Sequence, residues 1–312
     1  MRPEGICISS TKERCLNTLF DNYVQRALNG VKDQQRLLLP AIEKEILHHD
    51  IIRELHEHGF LSGLTLFGGT NLRLCHGSNR LSEDLDFKGG PDFNPSKMSG
   101  MALVLAKAFG QKYGLVASVD DPKPKEGNTK TWTIRIITRP GSKSEKQQRI
   151  NLDVCTLTAY EHAPAVIANH YAIDLGTSGL VIRSQSTRES FTDKVLAIAL
   201  RNRLQPRDLW DFAWLHQKPA NRVPIRVAEK LQEHGVTMQA FSRRLADRIV
   251  DMKSEESRAT FVNELTRFLP AGFIKTAKDP TFWEYLVTAL KEERAVFRRN
   301  LSRDQHRGGW EM

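Results

Sequence analysis

The chain has 312 residues, with 46 Lys and Arg against 37 Asp and Glu, a formal charge of +9. That length can bury a sizeable core, about two domains at ~150 residues each; a 40% hydrophobic fraction that omits the 20 glycines excludes a mainly disordered chain, and the lack of any run of ~18 uncharged apolar residues excludes a membrane-spanning helix. The four cysteines, Cys7, Cys15, Cys75 and Cys155, form no CxxC pair, which argues against a zinc ribbon or disulfide scaffold and for a reducing, cytoplasmic setting, while the positive surplus favours a polyanionic partner such as a nucleotide or nucleic acid.

Met1 to Ser10 carries one Arg and no apolar core, so no signal peptide is expected. From about Thr11 to Gly59 the chain reads as helices. Leu37, Leu38, Leu39, Ile42, Ile46, Leu47, Ile51, Ile52 and Leu55 recur at a spacing near 3.6, Pro40 fits a first turn or the start of a new helix, and Gly59 is a C-terminal stop. The run Leu64 to Phe67 then reads as a buried strand meeting a tight turn at Gly68-Gly69. Asn71 to His76 fits a short helix, Leu85 to Lys88 a second strand, and Lys97 to Tyr113 a helix closed by Gly114. Three further strands are expected at Leu115 to Val119, Thr131 to Thr138 and Arg149 to Leu157. The polar segments Asp120 to Lys130 and Pro140 to Gln148 are their loops. Residues 64–157 are therefore a small α+β unit with a mixed or antiparallel sheet. From Arg188 onward the pattern is helical: Ser190 to Arg203, Arg207 to Gln217, Pro224 to His234, Met238 to Asp251, Ser257 to Phe268 and Pro280 to Arg299, with a frayed polar tail after Asn300. The boundary falls near Tyr171 to Gly179, dividing the chain into 1–175, N-terminal helices plus the α+β core, and 176–312, a C-terminal helical domain.

Asp84 and Asp86 lie two apart on the second strand and so share a face, while Leu85 and Phe87 turn into the core. Two neighbouring carboxylates repel unless a cation lies between them. Hard oxygen ligands suit Mg²⁺, which keeps waters and phosphate oxygens as further ligands. Gly68 and Gly69 let backbone approach a phosphate, and the following helix offers free N–H groups. Thr70 is a suitable N-cap with a spare hydroxyl. An isolated DxD is common on surfaces; the ordered combination of strand, Gly-Gly-Thr, short helix and DxD within an apolar strand carries the signal.

The order Gly-Gly-Thr then Asp-Leu-Asp resembles the nucleotidyltransferase superfamily of polymerase-β-like fold, with fourteen residues between Gly69 and Asp84. The stretch FGGTNLRLCHGSNRLSEDLDF is more closely similar to the AbiEii branch, which includes the MenT-type toxins of bacterial and phage-defence toxin–antitoxin pairs. A second block, Asp193 to Ala197, Arg201 to Arg203 and Pro206 to Asp211, is similar to that branch's Lys-bearing helix and following RD helix. The resemblance spans about Leu64 to Leu215. It implies an α+β nucleotidyltransferase core in which Asp84 and Asp86 hold Mg²⁺ on an NTP and Gly68, Gly69 and Thr70 cradle phosphate.

Other positions keep two readings. Lys194 is a snorkelling surface residue or, as the resemblance implies, a point charge on the triphosphate. Asp208 and Asp211 share a helix face and are either capping acids or groups that position Lys194, an Arg or the nucleotide. Asp153, on a neighbouring strand, matches the third carboxylate of many such enzymes and is the candidate general base, or is an exposed strand Asp. Arg80 orients Asp84 or contacts phosphate, and Ser82 caps the turn. His48, His49, His56 and His58 lack metal-ligand spacing and read as polar helix residues. Cys75 reads as a packed thiol. Two basic groups, Lys123, Lys125, Lys130, Arg135, Arg139, Lys143, Lys146 and Arg149 around the sheet, and Arg294, Arg298, Arg299, Arg303 and Arg307 at the C-terminus, track RNA or form a solvated face. The resemblance implies transfer of nucleotides to RNA, most simply a tRNA 3′ end, by a toxin with a cognate antitoxin. The rival expectations are a nucleotide- or RNA-binding module without turnover, and transfer to protein or small-molecule hydroxyls.

Overall fold

A computed structural model describes residues 18–29, 35–123, 127–139 and 146–307. Cys7, Cys15, Lys125, Lys143 and the tip of the second polar loop lie outside them. Helix α1 (Leu19–Leu28) opens on a capping box, in which the Thr18 hydroxyl accepts from the Asp21 N–H while the Asp21 carboxylate accepts from the Thr18 N–H. Helix α2 (Gln35–Glu57) runs straight through Pro40. The proline sits in the second turn, neither at a start nor in a first turn. It removes one N–H from the ladder, but Leu38, Ala41, Ile42 and Ile46 around it are buried, and their packing outweighs that loss. Gly59, at φ +78°, ends the helix in the left-handed conformation expected of a stop.

Strand β1 (Thr65–Phe67) leads directly into α3 (Gly68–His76), and β2 (Leu85–Lys88) follows. Next come α4 (Met101–Tyr113), β3 (Val116–Asp120), β4 (Thr129–Arg139) and β5 (Lys146–Cys155). The sequence reading missed two strands, β6 (His162–Val166) and β7 (Val181–Gln185). Both are short, and β6 is mostly exposed with a central Pro164, so neither shows an apolar alternation. Together the strands form one mixed sheet of order β3-β4-β5-β2-β1-β7-β6. β2 pairs antiparallel with β1 and parallel with β5, and β1 pairs parallel with β7.

The helical part comprises α5 (Thr187–Leu200), α6 (Pro206–His216), α7 (Val227–Glu233), α8 (Met238–Asp251), α9 (Glu255–Leu265), α10 (Ala271–Lys278) and α11 (Pro280–Arg307). The helix α10 is an addition to the expected set. The backbone after Asn300 stays helical to Arg307 where a frayed tail was expected. Two apolar clusters result. One joins α1, α2 and α4 to the inner face of the sheet, and the other fills the helical part. They interlock: Leu72 of α3 belongs to the helical cluster, while Phe268 belongs to the sheet cluster, and its carbonyl accepts from the Leu81 N–H. Among the described residues, no helix is long and apolar enough to cross a membrane.

Candidate active site

The glycines earn their places by contact. Gly68 has φ +74°, and a Cβ there would stand 2.6 Å from Asp86 Oδ2. A Cβ on Gly69 would stand 2.5 Å from Arg80 Nη2 and 2.8 Å from Ser82 Oγ. So the first glycine lets backbone lie against the carboxylate, and the second lets it lie against Arg80. Helix α3 starts at Gly68, with Phe67 as an N-cap that makes no side-chain bond. Thr70 is thus inside the helix and is not its N-cap. Its buried hydroxyl donates to the Asp84 carbonyl at 2.5 Å, tying α3 to the start of β2.

Three carboxylates meet where β2 and β5 run side by side. Asp86 and Asp153 are register partners, and Asp84 Oδ1 accepts from the Asn151 N–H at 3.3 Å. Burial, then the charges of Asp153 and Asp84, raise the Asp86 carboxyl to about 7. Burial also raises Asp153, opposed by a hydrogen bond with Thr131, and Asp84 adds to the rise. Asp153 Oδ1 is buried without a hydrogen-bond partner. Among the described residues no cluster of three His, Cys, Asp or Glu is arranged to hold a metal ion. The crowding of negative charge on Asp86 and the unpartnered Asp153 oxygen nevertheless suit a divalent cation of the Mg²⁺ kind, for which one or two carboxylates plus substrate phosphates suffice.

Facing them across the cleft is Lys194 on α5, whose Nζ lies 2.8 Å from both Asp208 Oδ1 and Asp211 Oδ2. Burial alone would lower its pKa; the two carboxylates outweigh that and raise it. Asp211 is fully buried and is also gripped by Arg80, through Nε and Nη2 at 2.7 Å each. Burial pushes Asp211 up, but Arg80 and Lys194 win and bring it to about 2. Arg80 thus stands behind Gly69 and holds Asp211, and its third bond goes to the Leu81 carbonyl. Ser82 packs there too, buried. Asp208 also pairs with Arg201, at 3.1 Å.

The open space is a cleft of about 150 Å³ whose walls include Gly68, Gly69, Asp86, Lys194, Arg201 and Asp208. It adjoins a recess of about 330 Å³, lined mainly by Phe67, Leu157, Leu196, Ala197 and Leu200. Sequence reasoning missed a buried charge network on the floor. Lys88 binds Glu189 (2.8 Å) and Asp193 (2.7 Å), and Lys230 binds the same two acids (2.6 and 2.7 Å). The only sequence signals were a Lys closing an apolar strand and another inside the buried face of α7. His48 and His49 are corrected as well. They are buried, bonded to the Glu83 carbonyl and the Thr177 hydroxyl, and burial lowers both to about 3. Burial pushes the Cys75 thiol up to about 11, as a packed thiol requires. In the basic groups, Arg135 pairs with Asp120, Arg139 with Asp21 and Glu43, and Arg294 donates to the Ser242 carbonyl.

A mixed sheet with a glycine-led helix against paired strand carboxylates is the architecture of a nucleotidyltransferase. A family model described as nucleotidyl transferase AbiEii toxin, type IV toxin–antitoxin system, matches residues 50–288. The chain belongs to that family and is a nucleotidyltransferase toxin. Among solved structures it is similar to MenT4, a nucleotidyltransferase toxin from Mycobacterium tuberculosis, at 13% identity and TM-score 0.48, covering 89% of this chain and 98% of that one. It is also similar to JHP933 from Helicobacter pylori, at 17% identity and TM-score 0.39, covering 85% and 97%. No curated protein matches it by sequence.

Proposed function

We propose that the protein transfers a nucleotide from an NTP to a hydroxyl of RNA, the 3′ end of tRNA being the acceptor, in a Mg²⁺-dependent reaction in the cytoplasm. Arrest of growth in defence against phage, relieved by a cognate antitoxin, is the biological role that follows. The observation that carries this reading is the arrangement across β2. Asp86 and Asp153 stand in register, and Asp86 bounds a cleft together with Gly68, Gly69 and Lys194.

In this reading the triphosphate lies against the Gly68-Gly69 backbone and the first free N–H groups of α3. Lys194 shifts part of its contact from Asp208 and Asp211 to phosphate oxygens. Arg80 keeps Asp211 in place while this happens. The recess beside Phe67 and Leu196 is apolar enough to take the nucleoside. Asp84 and Asp86 would hold Mg²⁺, which neutralises phosphate charge and aligns the reacting groups when bound. Asp153 accepts the proton of the acceptor hydroxyl, whose oxygen bonds to the α-phosphorus as the α–β bridging bond breaks and pyrophosphate leaves. A raised pKa makes Asp153 a stronger base than a surface Asp. The division at residue 175/176 belongs to the same reading. It is supported by the two apolar clusters, with β7 as the strand that the second part lends to the sheet.

The test is incubation with each labelled NTP, total RNA and Mg²⁺. Label on RNA that disappears with EDTA and with Asp86→Ala supports the reading. Four unlabelled reactions, with Asp86→Ala as toxic in cells as the parent, would overturn it.

A further inference from the structure

The strand order constrains where the acceptor must come from. In the order β4-β5-β2-β1, the glycine backbone of α3 follows β1 on one side of Asp86. Asp153 lies on β5, on the other side. Phosphoryl transfer places the attacking and leaving oxygens roughly in line. If pyrophosphate leaves over the Gly68–Lys194 side, the attacking hydroxyl arrives over β5. Outward from Asp153 the sheet continues as β4 and β3, and one of its faces is buried. Trp132, Ile134, Ile136, Ile150, Leu152 and Val154 pack beneath it.

The opposite face is mainly polar and is open over much of its area. Side chains alternate along a strand, so Arg149, Asn151 and Asp153 share it with their register partners Arg135, Thr133 and Thr131. Thr131 and Arg149 are exposed, Asn151 is half-buried and Thr133 is buried. Arg135 is engaged by Asp120. Arg149 makes no ion pair among the described residues, and at four residues from Asp153 its Cα is about 13 Å along the strand. An uncommitted guanidinium at that distance, with hydroxyl and amide groups between, matches a short polyanion whose end lies at Asp153.

We propose that the open face of β3, β4 and β5 is the acceptor platform. The 3′ end of a single-stranded RNA lies along β5, its terminal hydroxyl at Asp153 and an upstream phosphate on Arg149. This rests on the transfer reading above and adds the side of entry, the strand polarity and the residue that measures the distance. Arg149 grips the phosphate, and Asn151 and Thr131 offer hydrogen bonds to the terminal sugar.

The experiment uses the full chain and a short fluorescent single-stranded RNA with a free 3′-hydroxyl. Anisotropy gives affinity and its salt dependence, and labelled-NTP transfer gives KM for each substrate. Arg149→Glu should raise the KM for RNA roughly tenfold or more, with the KM for the NTP held. Arg149→Ala should lower the salt slope of RNA binding by about one. Arg183→Glu, the same charge change on β7 at the far side of the sheet, should leave RNA affinity at the parent value. Equal losses for Arg149→Glu and Arg183→Glu would show a general charge effect and overturn the platform. So would an Arg149→Glu protein with parental KM and salt slope, in which case RNA transfer itself would still stand. A parent protein that labels no RNA overturns the transfer reading, and the platform with it.

Discussion

Replacing Asp86 with Asn removes one negative charge from the cleft and preserves the shape of the side chain. Burial, reinforced by Asp153 and Asp84, holds the carboxyl at about 7 against an ordinary 3.8. The folded state therefore keeps a proton that the unfolded chain releases near pH 4. The stability contributed by Asp86 is complete below that pH and is lost as the pH rises through 7. About three pKa units set a ceiling of ~4 kcal/mol. Asp86 is only half-buried and borders the open cleft, so solvent screening reduces the expected effect to about 1–2 kcal/mol. The assay is urea denaturation of parent and Asp86→Asn in EDTA across the range from about pH 4.5 to 8.5. The variant should be the more stable protein at the alkaline end, with the gap closing toward the acid end. Added Mg²⁺ should stabilise the parent more than the variant at alkaline pH. A gap constant with pH, or one that widens as the pH falls, would refute the reasoning.

Lys194→Met should cut label transfer by at least ~100-fold, as loss of a preorganised cation on the phosphates requires; labelled NTP measures it. Lys194→Arg should fail to restore the rate, because a compact ammonium fits between Asp208 and Asp211 where a planar fork does not. Gly68→Ala forces a Cβ into a backbone at φ +74° and to 2.6 Å from Asp86 Oδ2. It should cost about 1–2 kcal/mol in thermal unfolding and lower transfer as well. Lys230→Met leaves Lys88 as the one lysine bound to Glu189 and Asp193 and should cost about 3 kcal/mol or more in urea unfolding. Adding Glu189→Gln should recover part of that loss.

The parts of this molecule legible in the sequence are those where local chemistry decides. Apolar periodicity marked α2, α4, α5 and α8, and the alternation in Thr131 to Thr138 marked β4. The Gly-Gly-Thr and Asp-Leu-Asp order marked the cleft because glycine is needed wherever backbone must touch a carboxylate or phosphate. What was illegible depends on contacts between distant segments. Nothing in the local spacing of Arg80 announces Asp211, 131 residues away, so Arg80 was assigned to Asp84 or phosphate. Thr70 reads as a cap, but the helix starts at Gly68, three residues before the expected Asn71, and Thr70 lies inside it. The Lys88–Glu189–Asp193–Lys230 network joins β2, α5 and α7, and each member alone resembles an ordinary surface charge. Strands β6 and β7 escaped because they are brief, and a ladder with a neighbouring strand stabilises them where their own pattern does not.

The pairing of β1 with β7 also bears on how the toxin is made. Strand β1 receives its second neighbour only when residues 181–185 have been translated. Lys194 receives its two carboxylates only when residue 211 has followed. About two thirds of the 312-residue chain must therefore leave the ribosome before both walls of the cleft are present. A nascent or prematurely released fragment carries Asp84 and Asp86 without the opposing wall. On the proposed site, such a fragment is expected to transfer no nucleotide.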